Sequence, residues 1–90
     1  MAFCRRHSLP RPHINAMACG VEVDALFSQQ QVIVELDSWG FHSDRESFED
    51  DRERDGISAA AGFTTVRITS RGFEHQTRRL LSIIAARRAA

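Results

Sequence analysis

Two neighbouring segments of this chain alternate apolar residues with acidic ones, and a short polar linker joins them. Residues 21–27 read VEVDALF, and residues 32–37 read VIVELD. An alternation of period two predicts two β-strands, and the linker predicts that they form one hairpin over residues 21–37. This hairpin constrains the fold more than any other feature, because its register decides which side chains share a face of the sheet.

A symmetric hairpin would place acidic residues opposite each other. If the last residue of the first strand pairs with the first residue of the second, Asp24 faces Glu35, and Glu22 faces Asp37. Like charges directly opposite each other destabilise a sheet. This register therefore requires a compensating charge, and a divalent cation with oxygen ligands is the simplest candidate. The alternative is a solvated strand face on which the acids repel one another.

The length and composition are those of one small globular domain. The chain has 90 residues, of which 42% are hydrophobic and 27% are charged. It contains no apolar run of membrane-spanning length and no signal-peptide core, so we expect a cytoplasmic protein that makes no membrane contact. Cys4 and Cys19 fit no complete zinc-binding spacing, and we expect free thiols, with a disulfide between them as the alternative.

The formal charge of zero conceals an uneven distribution. Residues 1–20 carry +3, residues 21–55 carry −8 and residues 56–90 carry +5. A metal site beside a phosphate-binding rim would show this pattern, and so would a solvated acidic helix between arginine-rich ends. The predicted nucleic-acid-binding residues are Arg11, Arg67 and Arg71.

The remaining segments predict the element order β-β-β-α-β-α. Two prolines predict an extended N-terminal segment over residues 1–13, followed by a single domain over residues 14–90. The predicted elements outside the hairpin are a strand over 14–19, a helix over 43–61 that ends at Gly62, a strand over 63–69 and a last helix from Phe73.

The predicted helix over residues 43–61 has a charged inner face. Asp51, Arg52 and Asp55 fall on the same side as Phe48 at a period of 3.6 residues. A helix packed on the sheet by this side would carry them toward the strand carboxylates. The alternative is a solvated helix with ordinary ion pairs four residues apart.

Acids on two adjacent strands, followed by a helix and a further strand, are typical of a metal-dependent phosphodiesterase. Magnesium retains several waters and needs few protein carboxylates, and it polarises a phosphoryl oxygen while activating a bound water. Asp24 and Glu35 are the best ligand pair by position, and Asp37 is a further ligand or orients the water. Glu22 supports the site from the same strand face.

Several segments, in order, resemble a family of bacterial endonuclease-like domains related to the very short patch repair endonuclease, within the PD-(D/E)XK nuclease superfamily. They are Leu9-Pro10-Arg11-Pro12, Glu22-Val23-Asp24, Val34-Glu35-Leu36-Asp37, the 48–55 segment FEDDRERD and the 61–67 segment AGFTTVR. The resemblance implies an α/β fold with a restriction-endonuclease-like core, in which flanking helices cover a mixed four-stranded sheet. It also implies that Asp24 and Glu35 bind Mg²⁺ or Mn²⁺ and that His42 is catalytic. The superfamily's usual lysine is replaced by Asp37.

The superfamily core begins with a helix that packs on the sheet, and this chain starts too late to supply it. We therefore expect apolar residues of the sheet, Val21, Val23, Val32 and Val34, to be partly uncovered. We expect a symmetric homodimer to cover them, with an upstream domain or a partner protein as the alternative.

The predicted function is metal-dependent hydrolysis of DNA phosphodiester bonds. The main alternative is a catalytically inactive nuclease-fold remnant that binds nucleic acid or protein in a toxin–antitoxin or phage-defence setting. A structural oligomerisation module is the third.

Overall fold

The computed structural model of the chain describes residues 2–37, 53 and 55–89, and it contains four strands and three helical segments. They are α1 (Ala2–Arg6), β1 (His13–Ala18), β2 (Val21–Phe27), β3 (Val32–Asp37), α2 (residues 55–60), β4 (Thr64–Thr69) and α3 (Phe73–Ala89). The order from β1 to α3 is the predicted β-β-β-α-β-α. The α/β class is confirmed, while the restriction-endonuclease-like core stays a prediction.

The strands form one mixed sheet in the order β1-β2-β3-β4. The pairs β1/β2 and β2/β3 are antiparallel, and β3 and β4 run parallel. Phe27 pairs with Val32, so the predicted register of the hairpin is confirmed at its turn. Gly62 has a φ of +91°, which favours glycine, and it follows α2 at the predicted end of that helix.

The prediction of an extended segment over residues 1–13 is wrong for Ala2–Arg6, which forms α1. The two prolines restrict only the backbone around themselves, so they do not prevent a helix further upstream. Cys4 of α1 is buried with Leu80 and Ile84 of α3, and Leu9 packs against the same cluster. The N-terminal segment is therefore part of the core.

One face of the sheet packs against α3, and we call it the α3 face. Its core is built from alternate strand residues, because successive side chains point to opposite faces. The strand residues in this core are Ala25, Phe27, Val32, Val34, Val66 and Ile68. A second cluster on the other face, the α2 face, contains Ala18, Val23, Leu26 and Ile33, with Phe63 packed against it.

The predicted exposure of sheet valines is wrong for Val23, Val32 and Val34, which are all buried. Helices α1 and α3 cover one face, and the second cluster closes around Val23 on the other. Among the described residues, the large apolar side chains that are exposed lie elsewhere, at Ile14, Met17, Leu36, Ile57 and Phe73.

The hairpin of β1 and β2 changes face partway along its length. Val23 belongs to the α2-face cluster, whereas Ala25, two residues on, belongs to the α3-face core. The β1/β2 pairing has the same register on both sides of Asn15 and Asp24 but omits that pair itself. Asn15 has a φ of +51°, in the left-handed region. A local twist at this position therefore turns the far end of the hairpin over.

Arg87 joins the C-terminal half of α3 to the β2–β3 turn. Its Nη1 donates to the carbonyl oxygens of Gln30 and Gln31, both at 2.7 Å, and its Nη2 donates to Thr64 Oγ1 at 2.5 Å. Three charge-assisted bonds from one planar group fix the turn against α3 and β4.

We predict that Arg87→Ala lowers the free energy of unfolding by about 1–3 kcal/mol, because three acceptors lose a charged donor. Urea denaturation followed by circular dichroism would measure it. The control is Arg79→Ala, an exposed arginine of the same helix, for which we expect a change within about 0.5 kcal/mol. Equal effects of the two substitutions would contradict the role given to Arg87.

Candidate functional site

Arg67 of β4 lies between two carboxylates on the α2 face. Its Nη1 and Nη2 donate to Asp55 Oδ2 and Oδ1 at 2.7 and 2.8 Å, a bidentate pair. Its Nη2 also lies 3.7 Å from Glu35 Oε2. Glu35 and Arg67 are neighbours in the parallel pairing of β3 with β4. The chain itself thus supplies a positive charge next to the acid for which the sequence predicted a metal ion.

This arrangement also engages an arginine that was predicted to bind nucleic acid. The side chains of Arg67, Asp55 and Glu35 are 31, 38 and 20% exposed, so the cluster is partly shielded from water. A phosphate approaching Arg67 would have to compete with the Asp55 carboxylate. The placement of Asp55 agrees with the predicted helix face, which turned this residue toward the sheet.

Asp24 lies on the other face of the sheet from Glu35. It lines a cavity on the α3 face together with Val34 and Leu36, and strand alternation turns Glu35, between those two residues, the opposite way. Leu36 N–H donates to Asp24 Oδ2 at 2.7 Å. Asp24 therefore serves as a backbone acceptor at the edge of the hairpin, and the structure does not bring it together with Glu35.

The facing acidic pairs predicted from the register are wrong. The β2/β3 pairing runs from Phe27 and Val32 only as far as Ala25 and Val34, and it stops before the first acid. Like charges would have met directly opposite each other at the next position. The twist at Asp24 avoids that contact, and the Asp24 carboxylate accepts the Leu36 N–H beyond the last pair.

The other predicted site residues that the structure describes are dispersed. Glu22 and Asp37 are exposed, the first opposite Met17 of β1 and the second beside Thr69 of β4. Arg11 and Arg71 are exposed as well. His42, Asp51 and Arg52 lie outside the described residues.

Within residues 2–37, 53 and 55–89, no group of three or more histidine, cysteine, aspartate or glutamate side chains could hold a metal ion. Cys4 and Cys19 are free thiols, as predicted. The binding of Mg²⁺ or Mn²⁺ stays a prediction.

A set of exposed arginines lies on α1 and α3, and we call it the basic surface. Its members are Arg5, Arg6, Arg78, Arg79 and Arg88. Arg88 Nη1 donates to the carbonyl oxygen of Ser8 at 2.8 Å, which ties the end of α3 to the segment that follows α1. Burial of Cys4 against Leu80 and Ile84 fixes α1 beside the same helix. The two arginine-bearing helices are thereby neighbours.

The predicted nucleic-acid-binding residues include no member of this surface, although the helical pattern of α3 indicates two of its arginines. Thr77, Leu80 and Ile84 define the buried stripe of α3, and residues 78 and 79 fall off that stripe at 100° per residue. The contribution of α1 could not be found in this way, because the short helix itself was not predicted.

Comparisons of the chain with protein-family models, with curated proteins and with solved structures found no match. The resemblance to the endonuclease-like family therefore stays a prediction. In the part of the chain that the structure describes, no helix has the length and apolarity needed to cross a membrane.

We predict that Asp24→Ala lowers the free energy of unfolding by about 0.5–1.5 kcal/mol, since Leu36 N–H loses its acceptor. Asp24→Asn should preserve most of the stability, because an amide oxygen accepts the same bond. Glu22→Ala, an exposed acid of the same strand, is the control and should be nearly silent. Chemical denaturation would measure all three variants. An Asp24→Ala protein as stable as the native one would contradict the stabilising role given to the Leu36 N–H bond.

Proposed function

We propose that this chain is a DNA-binding module that contacts phosphates through its basic surface. The observation that carries this proposal is the set of exposed arginines on α1 and α3, two helices that are joined by the Arg88–Ser8 bond and by the burial of Cys4. The two helices contain six arginines and a single acidic residue, Glu74. A strongly one-signed surface attracts a polyanion and gains affinity by releasing its counterions.

The state of the individual arginines supports this use. Arg78 and Arg79 are exposed on the side of α3 away from the core, where a phosphate can reach them. Arg88 donates to Ser8 through Nη1, and a guanidinium has five N–H donors, so further donors remain for a phosphate. Arginine also matches phosphate in a bidentate geometry that lysine does not offer.

Glu35 and Asp55 lie away from this surface. Glu35 and Asp55 surround Arg67 on the α2 face, whereas the basic helices pack on the α3 face. A DNA backbone held at α1 and α3 would therefore avoid the main acidic cluster. This separation of charge is the expected property of a surface that steers a polyanion to one side.

Binding without cleavage is favoured over hydrolysis by the positions of the acids. The predicted hydrolytic site needs Asp24 and Glu35 to share one metal ion. Asp24 and Glu35 lie on different faces, and Glu35 is close to a guanidinium. Hydrolysis of DNA by a magnesium-bound site is the second candidate, and the order of the predicted motifs is what favours it.

The experiment is fluorescence anisotropy with a short labelled DNA duplex over a series of salt concentrations. We expect affinity to fall with salt, and the logarithmic slope to decrease by about one for each phosphate-contacting arginine removed. The test variant is Arg78→Ala with Arg79→Ala, and the charge-preserving control is Arg78→Lys with Arg79→Lys. No binding by the native protein, or an unchanged slope in the alanine variant, would contradict the proposal.

The same preparation separates binding from cleavage. Supercoiled plasmid is incubated with the protein and millimolar Mg²⁺ or Mn²⁺, and the native protein is compared with Asp24→Ala and Glu35→Gln. We expect intact plasmid in every lane. Nicking by the native protein that both variants lose would establish the hydrolase instead.

A further inference from the structure

Three of the exposed large apolar side chains converge on one cavity. Ile14, Leu36 and Phe73 are 51, 59 and 52% exposed, and all three line the same opening between β1, β3 and α3. Exposed apolar residues scattered singly need no explanation, but a group of them around one cavity marks a binding site.

The cavity has a volume of about 400 Å³, within the range of small-molecule sites. The other described lining residues are mostly those of the α3-face core, which are buried residues of the sheet and of α3. These include Ala25, Phe27, Val34, Ile68 and Leu80. A pocket with a rigid floor of core residues exists before a ligand arrives, which reduces the entropy lost on binding.

The polar residues among the described lining are few, and they include Asn15, Asp24 and Thr77. Thr77 uses its hydroxyl to donate to the carbonyl oxygens of Phe73 and Glu74, at 2.7 and 3.1 Å. Asp24 provides the only acidic or basic side chain among the described lining residues, and its Oδ2 accepts Leu36 N–H. A carboxylate can accept about four hydrogen bonds, so Asp24 retains capacity for a second donor. Burial raises the pKa of the Cys4 thiol on another part of the wall, in keeping with an apolar interior.

We propose that this cavity binds a small organic cation, an ammonium group on an apolar body, with the cation on the Asp24 carboxylate and the body against the apolar wall. An apolar pocket with one well-placed charged group is the usual design of a selective site, because the apolar contacts give affinity and the charge gives orientation. This site is independent of the basic surface, since none of the five arginines lines the cavity.

The charge of the pocket selects among ligands of equal size. A neutral body of the same shape gains the apolar contacts alone, and an anion is repelled by Asp24. The probes are therefore hexylammonium, 1-hexanol and hexanoate, titrated by calorimetry and by NMR of the ¹⁵N-labelled protein. We expect hexylammonium to bind about tenfold more tightly than hexanol, and hexanoate most weakly. The amide signals of Ile14, Leu36 and Thr77 should shift with the ligand.

Two pairs of variants test the two halves of the site. Asp24→Asn keeps the acceptor for Leu36 N–H and should reduce the preference for ammonium over alcohol to less than about threefold. Its control is Asp37→Asn, an exposed carboxylate outside the cavity. Phe73→Ala should weaken ammonium and alcohol alike, and its control is Ile57→Ala, an exposed apolar residue outside the cavity.

Binding by the native protein that shows both the ammonium preference and the two selective losses supports the site. The absence of binding by all three probes would overturn the assignment of the cavity. A preference for ammonium that survives Asp24→Asn would overturn the role of Asp24.

Discussion

The bidentate bond between Arg67 and Asp55, with Glu35 beside it, is the interaction on which this structure depends. It neutralises acids that would otherwise repel one another on the α2 face, and it connects α2 to β4. A partly buried carboxylate without a partner is costly, whereas one held by two parallel bonds to a guanidinium is stable. The strand that follows α2 therefore supplies the charge that β3 and α2 require.

The second acid of the hairpin is accommodated differently, and this shapes the α3 face. The twist at Asn15 and Asp24 ends the β2/β3 pairing early and turns the Asp24 carboxylate toward Leu36 N–H. The same turn leaves Ile14 and Leu36 around an opening that α3 does not fill. The twist that separates the acids thus also produces the apolar cavity, while exposed arginines of α1 and α3 form the basic surface.

Local sequence patterns were sufficient to predict the element order from β1 to α3, the turn register of the hairpin and the helix end at Gly62. These depend on local alternation and on single backbone positions, which a sequence displays directly. The predicted register of β2 with β3 failed beyond Ala25, because a uniform register does not allow for a twist that reverses the face of a strand. Partners distant in sequence, such as Arg67 with Asp55 or Arg88 with Ser8, follow from packing that no single segment encodes. The burial of Val32 and Val34 likewise depends on α3 and on α1. The helix α1 was not predicted, because the two prolines indicated an extended N-terminal segment.

The central claim is that Arg67 supplies the positive charge that the acids of the α2 face need. A double-mutant cycle on the free energy of unfolding, with Arg67→Ala, Asp55→Asn and the combined variant, tests it most directly. Because both side chains are about a third exposed, we expect a coupling of about 0.5–1.5 kcal/mol, reduced by solvent screening. In the Arg67→Ala background, Asp55→Asn should cost nothing or stabilise the protein. An equal cost of Asp55→Asn in both backgrounds would contradict the account.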